Sequence, residues 1–131
     1  MEKAERFKET YGFQKAYGSY EKLLADPKVE AVYIPLPNTM HYEWTIRALK
    51  SGKHVLCEKP LAPTEAQAEE MFKAAEENHV YLMEAFAYQH SPYIAAVRKE
   101  IENGTIGDVR YMESAYITSD YDPKNIRMRR D

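Results

Sequence analysis

The spacing of apolar and polar positions changes several times along the chain, and each change predicts an element. Residues 2–11 place Ala4, Phe7 and Tyr11 on one helical face and stop at Gly12. Ser19 is positioned to cap a short helix through Leu24, closed by Asp26-Pro27. "EAVYIPLPN" predicts a strand over Ala31–Ile34, broken by Pro35 and Pro37. A helix is expected over 39–50, with Asn38 as its cap and Ser51-Gly52 as its stop. "HVLC", residues 54–57, reads as a second strand. Thr64 and Gln67 have the spacing of a capping box, and Ala68, Met71, Phe72 and Ala75 form the apolar stripe of the next helix. "VYLMEAF", residues 80–86, predicts a third strand. Ser91-Pro92 opens a helix that ends at Asn103-Gly104, and "GDVRYMESAYIT" predicts a longer strand over 109–118.

Strands alternating with helices imply parallel βαβ units and an α/β fold, with helices on both faces of the sheet. The short, continuously apolar strands agree with a sheet buried on both sides. In such sheets ligands bind beyond the carboxyl ends of the strands. "PLPNTMH", "CEKP" and "EAFAYQH" each follow a strand, so the three are expected to share one rim.

Composition narrows the function. The chain has 131 residues, 44% hydrophobic and 30% charged, an ordinary globular balance. A net charge of -3 gives no reason to expect nucleic acid or an anionic membrane as partner. No apolar run approaches the ~20 residues of a membrane span, and "MEKAERFKETYG" lacks the apolar core of a signal peptide. Cys57 is the sole cysteine, which excludes an internal disulfide and fits a reducing cytoplasm. No histidines or carboxylates show metal-ligand spacing, so no metal site is expected.

Glu58-Lys59-Pro60 is the pattern that asks for a function: a carboxylate, an ammonium and a rigid ring where a strand ends. Such a pair is costly at a strand end unless something outside the chain uses it. Taken singly, Lys59 reads equally as a surface lysine, and Glu58 as a partner for Lys59 or a cap of the next turn. His41, in a helix first turn, has a solvated side chain as its alternative. Tyr88 and His90 lie near the expected rim, where an aromatic can simply pack. His54 and His79 precede strands, away from the rim, and read as structural. Cys57 reads as a small buried strand residue, with thiol reactivity as the alternative.

Taken in order, "VYIPLPNTMHYEWTIRALKSGKHVLCEKPLAPT" resembles the core of the glucose-fructose oxidoreductase / inositol dehydrogenase / MocA family of NAD(P)-dependent oxidoreductases. "YLMEAFAYQHSPYI" is similar to the branch that holds dihydrodiol dehydrogenase and some xylose dehydrogenases, and "GTIGDVRYMESAYI" to the link into the family's second domain. The resemblance implies an incomplete Rossmann-type, doubly wound parallel sheet over 1–105. At 106–131 it implies the start of a second α/β domain with an open antiparallel sheet, which in the family holds substrate and often an oligomer interface. It further implies that Pro35, Leu36, Pro37, Asn38 and His41 lie beside the ribose and pyrophosphate of NAD or NADP. Glu58, Lys59 and Pro60 would match the family's E-K-P, with Lys59 as the proton-handling catalytic residue. Tyr88 and His90 become candidate contacts for a small carbohydrate, polyol or diol substrate. A homo-oligomer is implied for the full-length protein.

The departures are as specific as the matches. The family's first strand, glycine-rich phosphate loop and second strand have no counterpart here, nor does the position that separates NAD from NADP. The downstream segment that supplies a second catalytic Tyr or His is also missing, and Gln89 stands where the branch often has arginine. The chain is therefore expected to be an internal piece of such an enzyme. The rival expectation is a catalytically inactive remnant or a subunit-binding fragment.

Overall fold

In a computed structural model, residues 1–117 of the chain are described. β1 (Ala31–Ile34), β2 (His54–Glu58) and β3 (Leu82–Ala85) form a parallel sheet in the order β1-β2-β3. Val32 is in register with Val55 and Ile34 with Cys57 across the first pair, and Val55 with Leu82 across the second. α3 (Asn38–Lys50) connects β1 to β2, and α4 (Glu65–Glu77) connects β2 to β3. Both steps move along the sheet in one direction, so two right-handed crossovers put both helices on the same face. The core lies between them and the sheet: Ile34, Val55 and Cys57 from the strands, Ala48, Leu49, Met71, Ala74 and Ala75 from the helices, and Leu61 from the loop after β2.

The expected Rossmann-type parallel sheet is found as a partial sheet, and among the described residues both connecting helices lie on one of its faces. Strand side chains alternate between faces, and one row, Tyr33, Leu56 and Met83, is in register and exposed. An unbroken apolar strand reads the same whether one face or two are covered. Phe72 also leaves its expected place: it is exposed, while Met71, Ala74 and Ala75 face the core. The strand expected over 109–118 does not form over 109–117, which have no regular structure and are exposed. Strand hydrogen bonds need a neighbouring chain, and no described strand pairs with this segment; Thr118 lies outside the described residues.

Local signals set most boundaries. α1 (Glu2–Tyr11) ends at Gly12 in the left-handed region (φ 70°), where a Cβ is disfavoured. No residue of α1 is buried, and its Phe7 and Tyr11 rings meet each other at 5.1 Å. Ser19 Oγ accepts the Lys22 amide at the start of α2 (Tyr20–Leu24). Thr64 Oγ1 accepts the Gln67 amide at the start of α4. The capping box is only half made, because Gln67 Oε1 is buried without a hydrogen-bond partner. Before β1, the Asp26 carboxylate accepts from Lys15 Nζ, Tyr17 OH and the Lys28 amide, and the buried Lys53 Nζ donates to the Asp26 carbonyl.

Met1–His90 form one compact unit and Ser91 begins a second. In the second, α5 (Pro92–Glu102) has proline in its first turn and is followed by Asn103 and Gly104 (φ 71°). Among the described residues no helix is long and apolar enough to cross a membrane.

Candidate functional site

The parallel strands end together at Ile34, Glu58 and Ala85. The rim therefore consists of residues 35–37, residues 59–64, and a 3-10 helix, Ala87–His90. The Lys59-Pro60 peptide is cis.

Glu58 occupies the exposed face of β2 together with Leu56, two residues earlier. Its Oε1 accepts the Tyr33 hydroxyl at 2.7 Å, and its Oε2 accepts the Lys59 amide at 3.2 Å. The Tyr33 hydroxyl, then the Lys59 amide, and then the charges of Lys59 and His41 hold its carboxyl below the usual carboxylate range, against partial desolvation. The same bond pushes the Tyr33 phenol up. Glu58 is thus a pinned anion at the rim. Lys59 and Pro60 follow it and are exposed.

Glu84, in register with Cys57 on β3, accepts the Leu61 amide on its Oε1 at 2.9 Å and ties the next loop to the sheet. Tyr33, Leu56, Glu58, Met83, Ala85, Phe86, Ala87 and His90 line a concave region of about 420 Å³ on the open face. His90 therefore shares a pocket with Glu58. Tyr88 does not line it; its ring packs edge-on against Phe86 at 5.7 Å.

Pro35 and Leu36 face elsewhere, lining a groove of about 450 Å³ beside β1 with Phe13, Tyr20 and Trp44. Pro37 and Asn38 are exposed. Asn38 is not the cap of α3, as the sequence suggested: Pro37 takes that position and Asn38 is the first helical residue, with no side-chain cap made. The extended backbone of Pro37 (φ -55°, ψ 145°) starts the helix one residue early.

His41 is not the solvated side chain that was the alternative for it. It has no exposed surface, and its ring nitrogens lie 2.8 Å from the Pro60 carbonyl oxygen and 2.7 Å from that of Leu36. Cys57 is buried, and desolvation pushes its thiol up, away from reactivity. At the opposite end of the sheet, His54 Nδ1 accepts the Tyr81 amide and its ring stacks on Tyr81. His79 adopts a left-handed turn conformation (φ 55°) after α4.

Sequence reasoning missed Tyr33, Glu84 and Phe86. Period-two alternation puts Glu58 on one face of β2, but only the pairing register brings Tyr33 of the neighbouring strand beneath it.

Residues 1–86 match the model of an oxidoreductase family described as having an NAD-binding Rossmann fold. Over 121 residues the chain is 38% identical to trans-1,2-dihydrobenzene-1,2-diol dehydrogenase from Xenopus laevis, covering 92% of this chain and 37% of that protein. It is 39% identical to dTDP-3,4-didehydro-2,6-dideoxy-alpha-D-glucose 3-reductase from Actinomadura kijaniata, covering 99% and 39%. The crystal structure of a 3-ketoreductase from Actinomadura kijaniata in complex with NADP and TDP-benzene superposes with a TM-score of 0.76 at 42% identity, over 83% of this chain and 33% of that one. The chain thus spans little more than a third of these curated relatives. With the match running from the first residue to just past β3, and the three strand ends meeting at one rim, the chain belongs to the Gfo/Idh/MocA oxidoreductase family.

Proposed function

We propose that the chain forms part of an enzyme that transfers a hydride between NAD(P) and the CH–OH group of a sugar, polyol or trans-dihydrodiol. The observation that carries this reading is the rim at the end of β2, where a doubly held Glu58 carboxylate adjoins an exposed lysine. The residues present fit one side of a dinucleotide. α3 begins with no side-chain cap and no acid in its first turn, which leaves its first two amide N–H groups suited to phosphate oxygens, the Met40 amide being held by the Pro37 carbonyl. Pro35, Leu36, Pro37 and Asn38 would flank that end, with Glu58, Lys59 and Pro60 at the nicotinamide ribose. The bound nicotinamide would supply the hydride acceptor or donor. Lys59 would take the hydroxyl proton on oxidation and return it on reduction, in general acid–base fashion. Glu58, ionised, fixes the loop through the Lys59 amide. His90, in the pocket with Glu58, and Tyr88 are the proposed substrate contacts. In this reading residues 1–105 belong to the nucleotide-binding domain and 106–131 begin the substrate and oligomerisation domain.

The test is NADH and NADPH binding by fluorescence, followed by NAD(P)-dependent oxidation of pentoses, polyols and trans-dihydrodiols. Lys59→Met is expected to lower turnover by about 10²- to 10⁴-fold with an unchanged thermal melt. Near-normal turnover in that variant would exclude Lys59 as the proton carrier. The exposed row of Tyr33, Leu56 and Met83 favours a second reading, a non-catalytic subunit-binding role. A monomeric chain that turns over substrate would exclude it.

A further inference from the structure

Residues 35–37 and 59–61 lie in the loops after β1 and β2, which carry most of the proposed dinucleotide contacts, and three of the six are prolines: Pro35, Pro37 and Pro60. A proline-rich loop cannot lock itself through its own amides, because proline has no N–H. The two amides of 59–61 are both committed to carboxylates, Lys59 to Glu58 and Leu61 to Glu84. Those bonds join this loop to β2 and β3 but not to the loop after β1. The link between the two loops is made by His41. Its fully buried ring places Nε2 at the Leu36 carbonyl and Nδ1 at the Pro60 carbonyl, each within 2.8 Å. Both partners are acceptors, so holding both loops at once requires an N–H on each ring nitrogen.

We infer that His41 is a positioning residue that holds the two proline-rich loops at a set separation, acting on the dinucleotide through those loops and not by touching it. The inference rests on the dinucleotide site proposed above. Its structural half stands separately, because the brace predicts which amides become mobile whether or not a ligand binds. An apolar ring of similar size would fill the same space and leave both carbonyls without a donor. Thr45, one helical turn further along α3, is equally buried and bonds neither loop, so it separates bracing from packing.

The experiment compares the wild-type chain with His41→Phe, His41→Gln and Thr45→Ala. It measures amide hydrogen exchange at Leu36, Asn38, Lys59 and Leu61 by NMR, and NADPH affinity by fluorescence. His41→Phe is expected to speed exchange in both loops by roughly tenfold relative to the α3 and α4 core amides, and to weaken NADPH binding by a similar factor. His41→Gln, which keeps one amide donor, is expected to restore protection in one loop and part of the affinity. Thr45→Ala is expected to leave the ratio of loop to core exchange unchanged. The inference is overturned if His41→Phe loosens neither loop or only one, or loosens both with no change in NADPH affinity. If His41→Phe does not fold, an unchanged exchange pattern in His41→Gln overturns it. A wild-type chain that binds no NADPH refutes the proposed function, and loop exchange alone then decides whether His41 is a brace.

Discussion

Leu49 and Leu56 offer a direct test of the one-sided sheet, because the same truncation should cost different amounts at the two sites. Leu49 on α3 has no exposed surface and belongs to the cluster with Val55, Cys57 and Met71. Cutting it to alanine removes its transfer free energy and leaves a hole that rigid neighbours fill poorly, a loss of about 3 to 5 kcal/mol. Leu56 on β2 is 37% exposed on the open face. Full burial of a leucine is worth about 1.5 to 3 kcal/mol. The buried fraction scales that down, and no closed cavity remains, so Leu56→Ala should cost about 1 kcal/mol. In a domain of this size each kcal/mol moves the melting temperature by roughly 3 to 5 °C, a gap of several degrees or more between the variants. Urea unfolding followed by circular dichroism gives both numbers, provided the slope on denaturant is unchanged. Equal losses would refute the reasoning, since Leu56 would then sit under a covering layer. A loss under about 1.5 kcal/mol at Leu49 would refute the core assignment.

Two further outcomes follow from the charged groups. Tyr33→Phe removes the hydrogen bond that does most to hold the Glu58 carboxyl down. Its titration, read from the side-chain carboxyl carbon by NMR, should therefore move up toward the ordinary ~4.3; an unmoved titration would show that the bond is not formed in solution. Asp26 is depressed, first by Lys15 and then by the Lys28 amide and Tyr17, so its ionised form favours the folded state. That contribution is complete above the unfolded carboxyl value of ~3.9 and is lost as pH falls below it. Asp26→Asn should be less stable than wild type at pH 7, with the difference shrinking below about pH 4; a gap that stays constant from pH 7 to pH 3 would contradict this.

Much of the architecture was legible because its causes are local. Residues within a few positions of one another decided where α1 stops, where Ser19 and Thr64 cap, where Pro35 ends β1 and how Ser91-Pro92 opens α5. Strand–helix alternation carried the parallel sheet, and the ordered stretch from Pro35 through Glu58-Lys59-Pro60 carried the family. The sequence could not say which face of the sheet is covered, because Val55 and Leu56 are both apolar and only strand order and crossover hand distinguish their surroundings. A strand needs a partner, so the β-prone segment at 109–117 could not become one by composition alone. The site divides in the same way. Glu58 and Lys59 announce themselves as charges at a strand end, whereas Tyr33 reaches Glu58 from 25 positions away. His41, which by sequence could be a cofactor neighbour or a solvated first-turn side chain, is buried between two carbonyls. Local sequence determines which elements form and which residues are chemically able; the packing of distant segments decides which of them meet, because a hydrogen bond depends on separation in space and not along the chain.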